Sequence, residues 1–262
     1  FKATNHRVLW NKSKRLSVPF FFEPSYDFKM NKSYLNSKKY LNYGINYEKF
    51  LNRSLKKANY IVLSPGVNLL NSKNSKKLKK FKKKIITDID LMFLFKRNFK
   101  SIVVTGTNGK STTSKIIAHI LKKNNFKAFL VGNIGSPILN INIKKNCFLV
   151  IEASSFQLSH SKFILPDYAM ILNITNDHID WHGSMKNYTN SKFKIFKNQT
   201  HNHYSFLNEE LKSQYKKRKL SGKLIIPKFY LYKKFKAKIE NKYLNLKIND
   251  ENMSFVYELS KL

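Results

Sequence analysis

The chain has 262 residues, with 50 lysines and arginines against 15 acids, a formal charge of +35 that would ordinarily point to a polyanion partner. The lysines are spread among many Asn, Ile, Phe and Tyr residues, the mixture an AT-rich coding sequence produces, so the charge reads as background and no specific nucleic-acid partner is expected. Cys147 is the single cysteine, which excludes an intrachain disulfide, and no apolar run reaches the roughly 18 residues that cross a membrane. A cytoplasmic monomer with no membrane partner is the expectation.

In chain order, "NYIVLSPG" (59–66) is a short β-rich run stopped by Pro-Gly, the pattern of a buried strand ending in a turn. The lysine-rich "NSKNSKKLKKFKKK" predicts a solvated helix, and "IITDIDLMFLF" carries the chain on. From Ser101 the pattern becomes α/β alternation. "SIVVTG" predicts a strand and Lys110 to Asn124 a helix, with Ile116, Ile117, Ile120 and Leu121 at helical spacing. "KAFLVGN", "CFLVIEAS" and "YAMILNIT" are three further apolar strand runs, which together argue for a mostly parallel sheet covered on both faces. After Phe196 the signals weaken: "KAKIENKYLNLKI" has the look of a hairpin and "NDENMSFVYELSKL" of a helix.

The stretch "VVTGTNGKST" sits where an apolar strand hands over to a helix. It lacks the first glycine of the usual G-x-x-x-x-G-K-[ST] phosphate loop, whose place is taken by Val104. Gly106 and Gly109 nevertheless allow the close backbone approach an anion needs, and the helix start turns free N–H groups towards it. Lys110 brings a point charge for phosphate oxygens and the Ser111 hydroxyl can ligate Mg²⁺. Glu152 ends an apolar strand, where parallel sheets place their ligands. Asp177, His178, Asp180 and His182 in "NDHIDWH" leave a two-metal hydrolase reading open at this stage. His119, His201 and His203 read as ordinary packed or surface residues.

"TGTNGKST", "GNIGSP", "IEASSFQL" and "LNITNDHIDWHGSMKNYTNSKFKIF" follow one another in an order that resembles the Mur ligase family. "SSFQL" points to its members that add D-glutamate to UDP-N-acetylmuramoyl-L-alanine, and "SPGV" and "ITDIDL" are similar to their N-terminal domain. Other Mur-type ligases, such as folylpolyglutamate synthase relatives, form the alternative, and a basic RNA-binding protein a more distant one. The resemblance implies an incomplete Rossmann-like N-terminal domain over residues 1–98, binding the UDP-substrate. It implies a P-loop ATPase-type central domain over 99–262, with a C-terminal D-glutamate-binding domain beyond Leu262. On this view the chain is an internal fragment unable to ligate by itself.

The implied chemistry is ATP-dependent amide bond formation through an acyl phosphate, in peptidoglycan precursor synthesis. The resemblance assigns ATP contacts to Gly106, Thr107, Asn108, Gly109, Lys110, Ser111 and Thr112, and to Asn249 and Asn252 at an adenine-side helix. It assigns two Mg²⁺ ions to Ser111, Glu152, His178 and Lys192, the last as a carbamate, selected over Lys194 and Lys197 by the register of "HGSMKNY". Lys110, His178 and Lys192 form the implied catalytic set. Substrate contacts fall on Gly66, Asn133, Ser154, Ser155, Gln157 and His178, while Asn11 and Lys12 stand where the family often has a uracil-side acid. His182 and Trp181 are expected to be structural.

Overall fold

The computed structural model describes residues 55–63, 65, 67–69, 75–95, 98–141 and 146–262. Gly66, Asn11 and Lys12 lie outside the described residues. The chain forms two compact units, 1–88 and 89–262. In the first, β1 (Ile61–Val62) pairs in parallel with β2 (Ile85–Ile86), and Leu55, Ile61, Leu63, Leu78 and Ile85 form a small core. Among the described residues of the lysine-rich stretch, α1 (Ser75–Lys79) is helical and is followed by a 3₁₀ turn at Lys82–Lys84. Leu78 is buried there while Lys76, Lys79 and Lys80 face solvent.

The second unit opens within α2 (Asp88–Phe95), whose Ile89, Met92 and Phe93 join its core. Six strands follow: β3 (Phe99–Thr105), β4 (Ala128–Gly132), β5 (Cys147–Glu152), β6 (Tyr168–Ile171), β7 (Tyr204–Leu207) and β8 (Lys223–Ile225). They form one sheet in the order β4-β5-β3-β6-β7-β8, every pair parallel. Helix α3 (Lys110–Lys123) follows β3; α4 (Ser155–His160), α5 (Ile179–His182) and α6 (Met185–Phe193) carry most of the polar motif; α7 (Lys212–Lys217), α8 (Phe229–Lys236) and α9 (Asp250–Leu259) complete the unit.

Alternation along each strand supplies two cores. Val103, Leu149, Ile151, Ala169, Ile171 and Leu207 pack on one face. Ile102, Val104, Val150, Met170 and Phe206 pack on the other, against Ile116, Ile117, Phe255 and Val256 of α3 and α9. Each of the larger apolar side chains taken out of water contributes about 1.5–3 kcal/mol. That is why the expected parallel, doubly covered sheet is found, and why continuous apolar runs encode it.

The stretch "KAKIENKYLNLKI" is not the expected hairpin. Asparagines there take the backbone groups that a strand ladder would use: Asn241 Oδ1 accepts from Tyr243 N (3.0 Å) and Leu244 N (3.2 Å), and Asn249 Nδ2 donates to Tyr243 O (2.7 Å). The result is a run of turns between α8 and α9.

The chain leaves β3 towards β4 on one side and leaves β6 towards β7 on the other. The carboxyl ends of β3 and β6 therefore border the crevice where open parallel sheets bind ligands.

Candidate active site

The loop Gly106–Gly109 fills that crevice. Gly109 has a left-handed φ of 81°, and a Cβ on it would come within 2.4 Å of the Asn252 Oδ1 atom. Only glycine fits. As the N-cap of α3 it receives no side-chain hydrogen bond, so the N–H groups of the first turn are left for a ligand at the positive end of the helix. Ser111 and Thr112 sit half-buried on that turn. Lys110 Nζ donates to Thr107 O (2.7 Å). Burial lowers its pKa, opposed by the charges of Glu152 and Asp177.

The loop is tied to the end of β6. Asn173 Oδ1 accepts from Thr107 N (3.1 Å) and Asn108 N (2.8 Å), and Asn173 Nδ2 donates to Asn108 O (3.2 Å). The Thr107 hydroxyl meets Tyr188 OH at 3.0 Å and accepts from Thr175 N at 2.9 Å. Neither Asn173 nor Tyr188 is among the site residues expected from sequence. Their contacts span 65 to 81 residues, and "LNIT" and "KNYT" carry no local pattern announcing them.

Glu152 ends β5 almost completely buried, at 1% exposure. Its Oε1 accepts from Asn133 Nδ2 (2.9 Å), while Oε2 is buried without a hydrogen-bond partner. A bare, buried carboxylate oxygen is costly unless a cation meets it, so this residue fits a divalent metal ligand. Asn133 is held by its own backbone too, through Asn133 N to Glu152 O at 2.9 Å. Gly132 before it has φ 100°, and a Cβ there would lie 2.4 Å from the same carbonyl, so the position takes glycine.

The expected substrate-side residues of "SSFQ" are engaged within the protein. Ser154 caps α4, accepting from Gln157 N, while the Gln157 side chain accepts from Ser154 N (3.0 Å), a reciprocal capping box. The S-x-x-Q spacing was the available signal for it. Ser155 is buried, with its hydroxyl 3.0 Å from His182 Nε2.

His182, Trp181 and Phe156 pack together, with His182 stacked on Phe156 at 5.8 Å. His182 is a core residue, as expected, and "NDHIDWH" does not converge on a metal: Asp180 is exposed and His182 turns inward. Among the described residues, no group of three or more His, Cys, Asp or Glu side chains could hold a metal ion.

Burial, then the nearby Lys192 and His178 charges, lower the His182 pKa from 6.5 to about 4. Between those values the unfolded chain binds the proton and the folded chain does not. The stability linked to neutral His182 is therefore complete above pH 6.5 and is lost as pH falls towards 4. Up to about 3 kcal/mol is at stake. Denaturant unfolding from pH 7 to 4 should show a steeper loss for the wild type than for His182→Asn; equal slopes would contradict this account.

His178 lies at the crevice with its side chain 46% exposed and Nε2 3.3 Å from Asp177 Oδ2. Its backbone is left-handed (φ 51°), an uncommon conformation for a histidine, and its ring packs against Phe156 at 4.7 Å. The same register places Lys192 inside. Lys192 is 1% exposed, donates to Gly106 O (2.7 Å) and stands 4.5 Å from the Tyr188 ring centroid. Burial first, then the Lys110 charge, lower its pKa to about 7. Lys194 is half-buried with Nζ on the Ser159 carbonyl, and Lys197 is exposed.

At the loop's other flank, Asn249 and Asn252 open α9 on buried positions. Asn252 abuts Gly109, whereas the Asn249 amide donates to the Tyr243 carbonyl. The structure thus brings Lys110, Glu152, Lys192 and Asn252 around one loop, with His178 one neighbour further out, its ring 6.4 Å from that of Tyr188, whose hydroxyl meets Thr107.

Residues 104–260 match the family described as the Mur ligase middle domain. The chain is similar to the UDP-N-acetylmuramoylalanine–D-glutamate ligase of Rickettsia felis (strain ATCC VR-1525 / URRWXCal2), with 44% identity over 148 residues, 56% of this chain and 32% of the relative. It is equally similar, at 44% over 161 residues, to the ligase of that name from Elusimicrobium minutum (strain Pei191), covering 57% of this chain and 35% of the relative. The chain spans about a third of the length of these curated relatives. Among solved structures, it aligns with the UDP-N-acetylmuramate:L-alanyl-gamma-D-glutamyl-meso-diaminopimelate ligase from Neisseria meningitides at 16% identity and a TM-score of 0.45, over 79% of this chain and 69% of that one.

Proposed function

Since the chain belongs to the Mur ligase family, we propose that it is the ATP-binding part of an enzyme joining D-glutamate to UDP-N-acetylmuramoyl-L-alanine. The observation that carries this reading is the meeting of Lys110, Glu152 and Lys192 at a strand-loop-helix phosphate cradle. In this reading ATP phosphorylates the substrate carboxylate, and the amine of D-glutamate then displaces phosphate from the acyl phosphate.

The amides at the start of α3 and Lys110 would bind and orient the polyphosphate, Gly106 to Thr112 being the contact set. Asn252, and Asn249 through the turn it braces, would shape the adenine side. Ser111, Glu152, His178 and a carbamylated Lys192 would hold Mg²⁺, two ions in our reading, which when bound neutralise charge on the phosphoryl group in transfer. The Glu152 Oε2 atom without a partner supports that fit. Asn133 and His178 would face the muramoyl substrate, with Ser154, Ser155 and Gln157 acting by shaping the wall beneath it. Residues 1–98, including Gly66, would belong to the UDP-substrate domain, with 99–262 forming the ATP-binding domain. With nucleotide and UDP-linked substrates, the reaction would run in the cytoplasm.

Thermal unfolding with and without ATP–Mg²⁺ tests the proposal. A raised midpoint is expected, since a ligand that binds only the folded chain stabilises it. No shift at millimolar nucleotide would count against the ATP site. In the whole protein, ADP formation should require both UDP-N-acetylmuramoyl-L-alanine and D-glutamate; equal turnover with other amino acids would overturn the acceptor assignment.

A further inference from the structure

We infer that Asn173 is a positioning residue for the nucleotide, holding the first half of the phosphate loop open before any phosphate arrives; the inference rests on the reading of this loop as an ATP site. One carboxamide makes three of the contacts, to Thr107 N, Asn108 N and Asn108 O. The Asn173 carbonyl accepts from Thr107 N as well, at 3.0 Å. The amides of residues 107 and 108 are therefore turned towards β6. The anion is left the amides at the start of α3, which a helix cannot satisfy internally.

The chemistry of the residue type is informative. Two N–H groups and one carbonyl must be met from a single short side chain, which requires an acceptor and a donor two bonds from Cβ. Asparagine supplies both. Aspartate would keep the two acceptor contacts but set an oxygen against the Asn108 carbonyl and a negative charge beside a polyphosphate. With glycines at 106 and 109, the segment between them has wide conformational freedom, and the clamp removes it in advance of binding. Asn173 also lies four residues before Asp177 in the segment that Thr175 and His178 share, so the same clamp links the loop to that segment.

The test compares wild type, Asn173→Ala and Asn173→Asp, each as the chain stands, by calorimetry with ATP–Mg²⁺ and by amide hydrogen exchange without nucleotide. Asn173→Ala should bind roughly tenfold or more weakly, the loss expected of about two hydrogen bonds. It should also exchange the Asn108 amide faster, while the Thr107 amide, which keeps the residue-173 backbone carbonyl as an acceptor, and the β3 amides stay protected. Asn173→Asp should keep the Asn108 amide protected yet bind less well than wild type. Unchanged affinity together with unchanged exchange at Asn108 in Asn173→Ala would overturn the inference. If Asn173→Ala does not fold, Asn173→Asp carries the test, and loss of protection at the Asn108 amide would overturn it. Wild type that fails to bind ATP would sink the proposed function instead, because the exchange comparison reads the clamp without nucleotide.

Discussion

On the proposed reading, Lys192→Ala in a full-length ligase carrying this domain should remove nearly all activity, at least about a hundredfold, with the fold retained. A lysine 1% exposed beside the Gly106 carbonyl, with its pKa lowered to about 7, offers a substantial share of uncharged amine near neutral pH, where an ordinary lysine offers almost none. An uncharged amine can attack dissolved CO₂, forming the N–C bond of a carbamate and releasing one proton. The product is an anionic oxygen ligand where an ammonium would repel metal. Acetate or formate added to Lys192→Ala should restore part of the rate by supplying a carboxylate in the vacated space. Lys197→Ala should change nothing. Lys194→Ala should lose about 1 kcal/mol of stability with its half-buried contact to the Ser159 carbonyl, yet keep activity. Steady-state rates of the four proteins decide the matter: an active Lys192→Ala, or an inactive Lys194→Ala, would refute the assignment.

Lys110→Ala should weaken ATP–Mg²⁺ binding by about a hundredfold or more, the loss of a charged donor to phosphate. The helix itself should survive, since alanine is favourable in its first turn. A second effect separates this from general damage. Lys110 is one of the charges that lower the Lys192 pKa, so its removal should raise that pKa towards the ordinary lysine value. Calorimetry gives the first result, and NMR titration of the Lys192 side chain gives the second. Unchanged affinity would remove the phosphate-loop assignment.

Much of this was legible in the sequence because the signals are local. The centre of β3 and the runs that become β4, β5 and β6 are apolar, α3 has clear helical spacing, and the phosphate loop lies between a strand and a helix where its chemistry can be read directly. Strands β7 and β8 were harder. "YSFL" and "KLI" are four and three residues long, and the lysines around them carry no periodicity. The role of "SSFQ" illustrates a different difficulty. The motif marks the right place in the chain, but its side chains are engaged in a helix cap and a buried serine–histidine contact, which only packing reveals. Asn173 and Tyr188 escaped notice for the same reason, since their partners lie far away in sequence.

That separation has a consequence for how the chain folds. The pair joining the loop to Asn173 is 66 residues apart, and the Lys192 contact to Gly106 spans 86. No strand neighbours its own successor across β3, because β5 and β6 reach it from opposite sides. Loop-closure entropy must be overcome for each such pairing before it is rewarded, and parallel pairings of this kind form slowly. The nucleotide cradle can therefore exist only once most of the sheet has assembled. During refolding, ATP binding should appear with the last kinetic phase, and the helical circular dichroism signal of α3 should precede it.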